Sequence, residues 1–157
     1  MSVMTKFKYA YIGIGTNLGD KCKNIEDAID LMEQCIGPVM AGSKLYKTPP
    51  WGFNSEGDFL NGVIKINTIL EPLILLKKLK VIEQKMGRDL GPKIGYQSRI
   101  IDLDILDYNG QMFFNHSLSV PHPLLTERNF VLMPLNDIDP NWKHPTTKLV
   151  VSQLIEA

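Results

Sequence analysis

SRIIDLDILDYNG, residues 98–110, carries the pattern from which the rest of the chain is read. Ile100, Ile101, Leu103, Ile105 and Leu106 are the apolar, largely β-branched side chains of a strand. Asn109-Gly110 follows with the dipeptide of a tight hairpin. Two carboxylates, Asp102 and Asp104, stand inside this strand. Side chains alternate across a strand, so the two share one face while Ile101, Leu103 and Ile105 fill the other. Like charges held side by side repel, and one tends to keep a proton. A hard divalent cation removes that conflict, and Mg²⁺ typically sits on one or two carboxylates plus substrate phosphates. A strand whose polar face simply meets water would carry the same pair without a function. The neighbouring cations favour the metal reading: Arg99 just upstream, Arg88 and Lys93 in the Gly-rich loop before it, His122 and Arg128 beyond the hairpin. Cations gathered around two carboxylates describe a phosphate site with its metal.

Working outward, residues 7–14 alternate as a first strand, and GTNLGD at 15–20 is a turn ending in a helix cap. Ile25, Ala28, Ile29, Met32 and Ile36 recur at the helical period over 21–36, and Gly37-Pro38 stops that helix. Residues 39–47 are a second strand. TPPWGFNSEGD at 48–58 is a loop, broken by prolines and glycines. Residues 59–67 alternate as a strand. Pro72 opens a helix running to about Met86, with Leu73, Leu76, Leu79 and Ile82 facing inward. A Gly-rich loop spans 87–98. After the hairpin come a short helix near 128–136 and a last helix from about 148. The order β-α-β-β-α-β predicts a ferredoxin-like α+β fold: an antiparallel sheet with packed helices and a C-terminal hairpin/helix extension. With no linker, repeat or low-complexity segment, residues 1–157 are expected to form one domain.

Composition bounds the partners. The chain has 157 residues, 44% apolar and 22% charged, an ordinary globular balance. Lys+Arg and Asp+Glu both number 17, which argues against a general nucleic-acid or membrane-surface binder. No run reaches the roughly 18–20 apolar residues of a membrane span. The N-terminal stretch reads as a strand, not a signal peptide. Cys22 and Cys35 lie too far apart on one predicted helix to bond, and two free thiols suggest a reducing cytoplasm. No coiled coil or long apolar edge demands a dimer, so a monomer is expected.

A second cluster points to a different ligand. Phe59 and Asn61 share a strand face, one a flat π surface, the other a paired donor and acceptor. Together they suit a planar, hydrogen-bonding heterocycle. The stiff loop Thr48-Pro49-Pro50-Trp51-Gly52 can read such a ring's edge through its backbone. Equally, Phe59 and Trp51 could be core residues and Asn61 a solvated one.

Taken together, YIGIGTNLGD, YKTPPWG…DFLN, IEQKMGR, RIIDLDIL and VPHPLLTERNFVLMPL, in this order and spacing, resemble the 6-hydroxymethyl-7,8-dihydropterin pyrophosphokinase family of folate biosynthesis. The resemblance implies transfer of the β,γ-pyrophosphoryl group of ATP to the pterin hydroxymethyl oxygen, with AMP released. It implies two Mg²⁺ ions on Asp102 and Asp104, with Arg88 and Arg99 completing the catalytic set. Phe59 and Phe130 would sandwich the pterin, Phe59 standing where a Tyr is common. Asn61, Thr48 and the Pro49–Gly52 segment would read the pterin edge, with Asn17 nearby. His122, Arg128 and Arg99 would contact the triphosphate. Glu83 would meet the ribose, Ile105 would offer backbone to adenine, and Lys80 and Ser119 would lie beside the nucleotide.

The chain departs from the family pattern mainly in the loop. Tyr96 stands in for a Trp, Gln97 for a small residue, and Ser98 precedes Arg99. A second loop arginine after Arg88 is absent, with Lys93 nearby. Lys80 stands where Gln is common. Gly87, Gly91 and Gly95 make the loop costly to order, so a lid that moves over about 88–98 is expected in the absence of nucleotide. Two other classes remain as contrasts: a non-catalytic ferredoxin-like binding module, and a metal-dependent nucleotide hydrolase using the same carboxylate pair. Neither needs pterin.

Overall fold

A computed structural model describes residues 6–49, 58–87 and 100–156. Strand β1 (Lys8–Thr16) leads through a turn into α1 (Lys21–Cys35), which Asp20 caps by accepting from the Lys23 N–H at 3.1 Å. The edge strand predicted over 39–47 is two pieces, β2 (Val39–Gly42) and β3 (Tyr46–Thr48). The break has a cause. Ser43 both donates its N–H to the Val63 carbonyl and accepts the Val63 N–H on its Oγ, each at 2.9 Å. The edge kinks there and closes on Gly62, where a β-carbon would lie 2.9 Å from Leu45. Strand β4 (Phe59–Thr68), α2 (Pro72–Met86) and β5 (Asp102–Tyr108) follow, then β6 (Phe113–Phe114), β7 (Ser119–Val120), α3 (Asn129–Ile138) and α4 (Val151–Glu156).

The main sheet runs β2-β4-β1-β5, antiparallel throughout, with β3 continuing along β4. This is the ferredoxin-like order the sequence predicts. One face carries Ala10, Ile12, Ile14, Ile64, Ile66, Leu103 and Ile105 against α1 and α2. From α1, Ile25, Ala28 and Met32 point inward, as the helical period predicts. On α2 the buried stripe is Leu75, Leu79 and Ile82, while Leu73 is exposed. Leu73 lies about 200° around the helix from Leu75, at 100° per residue, so the two cannot share a face. The opposite face holds Tyr11, Val63 and Leu106 against Val131, Leu132, Leu135, Trp142 and Val151.

Strand β5 breaks its own alternation. Ile12 pairs with Ile105, yet Tyr11 pairs with Asp107, so Leu106 is an extra residue in a β-bulge. Leu106 joins the second core, and its neighbour Asp107, also buried, accepts from the Trp142 indole N–H at 3.1 Å beside that core. Burial lifts the Asp107 carboxyl above the usual carboxylate range. Asn109 and Gly110 both have positive φ, 54° and 68°, and close the predicted tight turn. The last helix starts at Val151, not near 148. His144 Nδ1 accepts from the Thr146 and Thr147 N–H groups at 3.1 Å, which holds residues 144–148 in a turn.

Candidate active site

The second face of the sheet is only partly covered, and the residue types of its rows explain why it can receive ligands. In β1, Gly13 and Gly15 alternate with Ile12 and Ile14. Gly15 pairs with Asn61 on one side and with Asp102 on the other. Cross-strand partners share a face, so Asn61, Gly15 and Asp102 form one row across β4, β1 and β5. Gly13 sits likewise between Val63 and Asp104. A β-carbon on Gly15 would lie 3.0 Å from Asn61 Oδ1. The glycines therefore form a floor without side chains between the carboxylate pair and the amide. Sequence reasoning passed over them; the Gly-Ile-Gly alternation inside a strand was the available signal.

Asp102 is half-buried and Asp104 exposed, while Leu103 between them is buried, as alternation requires. Glu83 of α2 braces this segment from the strand's outer edge: its Oε2 accepts the Leu103 N–H at 2.8 Å. The Glu83 side chain is only 8% exposed and pairs with Lys80 at 3.3 Å. Ile105 is two residues on, so its backbone points to the same outer edge as that of Leu103. There a cleft of about 320 Å³ opens, lined by Leu76, Lys80, Asp104, Ile105, Ser119 and His122 among others. Four residues expected at the nucleotide, Lys80, Ile105, Ser119 and His122, thus converge on one cleft with Asp104. His116, with Asn115 and Ser117, also lines it and was not foreseen. Asn115 Oδ1 accepts from the Ser117 and Leu118 N–H groups, which shapes that rim.

His122 is tied to β5 by donating its backbone N–H to the Leu106 carbonyl at 2.9 Å. Its Nδ1 accepts from the Leu124 N–H, which leaves Nε2 as the outward nitrogen. Burial lowers the His122 pKa, Asp104 opposes that shift, and Arg128 adds to it. The Arg128 guanidinium lies 5.5 Å from the Phe130 ring centre.

At the other end of the glycine floor, Asn61 is 7% exposed and donates from Nδ2 to Thr48 Oγ1 at 2.9 Å. Thr48 pairs with Phe59 across β3 and β4. Asn17 is buried at the end of β1, whose Thr16 hydroxyl donates to the Ile100 carbonyl and accepts from Asn24 Nδ2. Phe130 lies in the first turn of α3 and packs against the second core. Pro49 follows β3 and is exposed. Arg88, Arg99, Pro50, Trp51, Gly52, Lys93, Tyr96, Gln97 and Ser98, and with them the expected lid over 88–98, lie outside the described residues. Among the described residues no three His, Cys, Asp or Glu side chains gather as a metal site.

The chain is thus an α+β protein with a ferredoxin-like antiparallel sheet, a cleft at its β5 edge lined in part by Asp104, and a glycine row that runs from the carboxylates to Asn61. The chain belongs to the 7,8-dihydro-6-hydroxymethylpterin-pyrophosphokinase (HPPK) family, whose profile matches residues 11–140. It is 41% identical over 135 residues to a 2-amino-4-hydroxy-6-hydroxymethyldihydropteridine pyrophosphokinase of Aquifex aeolicus, covering 86% of this chain and 82% of that one. It is 40% identical over 145 residues to the folic acid synthesis protein FOL1 of Dictyostelium discoideum, covering 92% of this chain but only 22% of that longer protein. Among solved structures, wild-type HPPK-DHPS of Plasmodium falciparum superimposes with a TM-score of 0.79 at 19% identity, over 99% of this chain and 45% of that one. That likeness confirms the fold. The family activity is transfer of pyrophosphate from ATP to the hydroxymethyl group of hydroxymethyldihydropterin, a step of folate biosynthesis, and this chain is a pyrophosphokinase of that kind.

Proposed function

We propose that the transfer runs along one track on the second sheet face: nucleotide in the cleft at the β5 edge, triphosphate over Asp104 and Asp102, pterin over Asn61. The observation that carries this reading is the row Asn61–Gly15–Asp102. Two strand spacings of about 4.8 Å separate its ends, so a pterin hydroxymethyl group and a phosphate chain can meet over Gly15. In the transfer the hydroxymethyl oxygen attacks the β-phosphorus and gives up its proton to solvent, the bond from that phosphorus to the α-phosphate oxygen breaks, and AMP leaves.

The donor set fits Mg²⁺. Two carboxylates on one strand face, one of them exposed, leave most coordination positions for water and phosphate oxygens, as Mg²⁺ prefers. When bound, two such ions would neutralise the triphosphate and so lower the barrier to attack by an oxygen nucleophile. The protein's own groups supply position and charge. Glu83 braces the backbone between the carboxylates; as a second role it would reach the ribose. Ile105 offers backbone to the base, with Lys80 and Ser119 beside it. His122 and Arg128 face the phosphates, joined by Arg88 and Arg99. Asn61, Thr48, Asn17 and the Pro49–Gly52 segment read the pterin edge, between Phe59 and Phe130.

The reading further takes residues 1–157 as one pyrophosphokinase domain, monomeric, cytoplasmic and indifferent to nucleic acid. No helix among the described residues is long and apolar enough to cross a membrane, and both cysteines are free. The test is AMP release from ATP and Mg²⁺ with and without 6-hydroxymethyl-7,8-dihydropterin, in the wild type and Asp104→Ala. AMP that needs pterin and vanishes in the variant supports the track. ADP and phosphate formed without pterin would overturn it in favour of hydrolysis.

A further inference from the structure

We infer that the hydrogen bond between Tyr46 and Asp137 is a positioning latch that sets the width of the pterin pocket. The inference rests on the pterin reading of that pocket. Tyr46 Oη donates to Asp137 Oδ2 at 2.7 Å, and the Lys44 N–H donates to the same oxygen at 3.3 Å. The two partners come from the two walls. Tyr46 belongs to β3, the short edge strand that ends in Thr48. It pairs directly with Asn61, whose Nδ2 reaches Thr48 Oγ1 at 2.9 Å and the Tyr46 carbonyl at 3.5 Å. Asp137 belongs to α3, which begins beside Phe130, the residue assigned to the facing wall. Residues 130 and 137 are two helical turns apart and so lie on the same side of α3.

The edge needs such a tie. In the sheet β3 pairs with β4 alone, over three residues, and it is separated from β2 by the kink at Ser43. Ladder bonds on one side fix its register but leave it free to splay away from the face that α3 covers. Asp137 grips the edge at two points just past the kink, the Lys44 backbone and the Tyr46 phenol. Hydrogen bonding to Asp137, with some burial, pushes the Tyr46 phenol up to about 12, so it stays a donor at physiological pH.

Steady-state kinetics of Tyr46→Phe, Asp137→Ala and Asp137→Asn test this, with Phe130→Ala as a marker for the pocket. The expected result is a rise of about tenfold in the pterin KM for Asp137→Ala and a smaller rise for Tyr46→Phe, the size of one lost charge-assisted bond. The ATP KM should stay put, because both groups lie at the far edge of the sheet from the cleft. The melting temperature should fall only by about 2–4 °C, the shift that one lost hydrogen bond carries in a chain of this size. Asp137→Asn keeps an acceptor and should restore most of the affinity. If Phe130→Ala raises the pterin KM while Tyr46→Phe and Asp137→Ala leave it unchanged, the latch is refuted and the pocket reading stands. If Phe130→Ala has no effect on the pterin KM, the pocket reading fails and the latch with it.

Discussion

Glu83 offers a perturbation whose size follows from its surroundings. Its carboxylate is 8% exposed, accepts the Leu103 N–H at 2.8 Å and pairs with Lys80 at 3.3 Å. Lys80 is half exposed, so that ion pair is discounted for solvent screening. The hydrogen bond matters more, because its donor is an edge-strand amide between the two aspartates. Removing the charged acceptor should cost roughly 1.5–3 kcal/mol. For a chain of this size each kcal/mol moves the melting temperature by about 2–4 °C, so Glu83→Ala should melt about 3–12 °C lower. Glu83→Gln keeps an oxygen acceptor without its charge and should lose about half as much. Since the braced segment carries Asp102 and Asp104, kcat should fall with stability in the Ala variant and recover in the Gln variant. Calorimetry plus initial rates over a range of ATP concentrations would read both effects. An Ala variant that melts like the wild type but shows a raised ATP KM alone would refute the brace and leave Glu83 as a ribose contact only.

Other consequences can be checked alongside. Gly15→Ala would place a β-carbon 3.0 Å from Asn61 Oδ1, an amide already held by Thr48. The pterin KM should rise about tenfold, the cost of one misdirected hydrogen bond, and kcat should fall as well, because the two substrates meet over this residue; pterin titration of the variant reads both. Asp104→Asn keeps the shape but not the charge, so Mg²⁺ should have to be raised well above its usual level before any AMP appears, as a Mg²⁺ titration would show. His144 supplies a pH test. Burial lowers its pKa, and its Nδ1 must be unprotonated to accept from Thr146 and Thr147. The unfolded chain therefore binds the proton more tightly, and this share of stability, complete above the ordinary imidazole value of about 6.5, is lost as pH falls through the window below it. Denaturation midpoints against pH should show a smaller loss in His144→Asn than in the wild type, the remainder coming from His122, whose pKa burial also lowers.

Much of this was open to sequence reading because it depends on local periodicity. The α1 stripe, the Asn109-Gly110 turn, the Asp20 cap and the shared face of Asp102 and Asp104 each follow from a few neighbouring residues. The α2 stripe misled because leucine and isoleucine occupy both sides of LILLKKLKVI, and only packing selects Leu75 over Leu73. The break between β2 and β3 was hidden because its cause, Ser43 clasping Val63, joins residues on different strands. Likewise the bulge at Leu106, which turns Asp107 toward Trp142, depends on how β5 registers with β1.

By itself the sequence determined the order of elements, the ferredoxin-like class, the family resemblance and the residue types of the site. Covalent neighbours suffice for those, because turn chemistry and side-chain period act within a few residues. Only the tertiary structure decided that Asn61, Gly15 and Asp102 share one row, that Glu83 holds the Leu103 amide, and that Tyr46 meets Asp137. Those contacts bridge 20 to 91 positions of chain, as the Glu83–Leu103 and Tyr46–Asp137 bonds mark. No local preference encodes them; strand register and the burial of two cores bring them together.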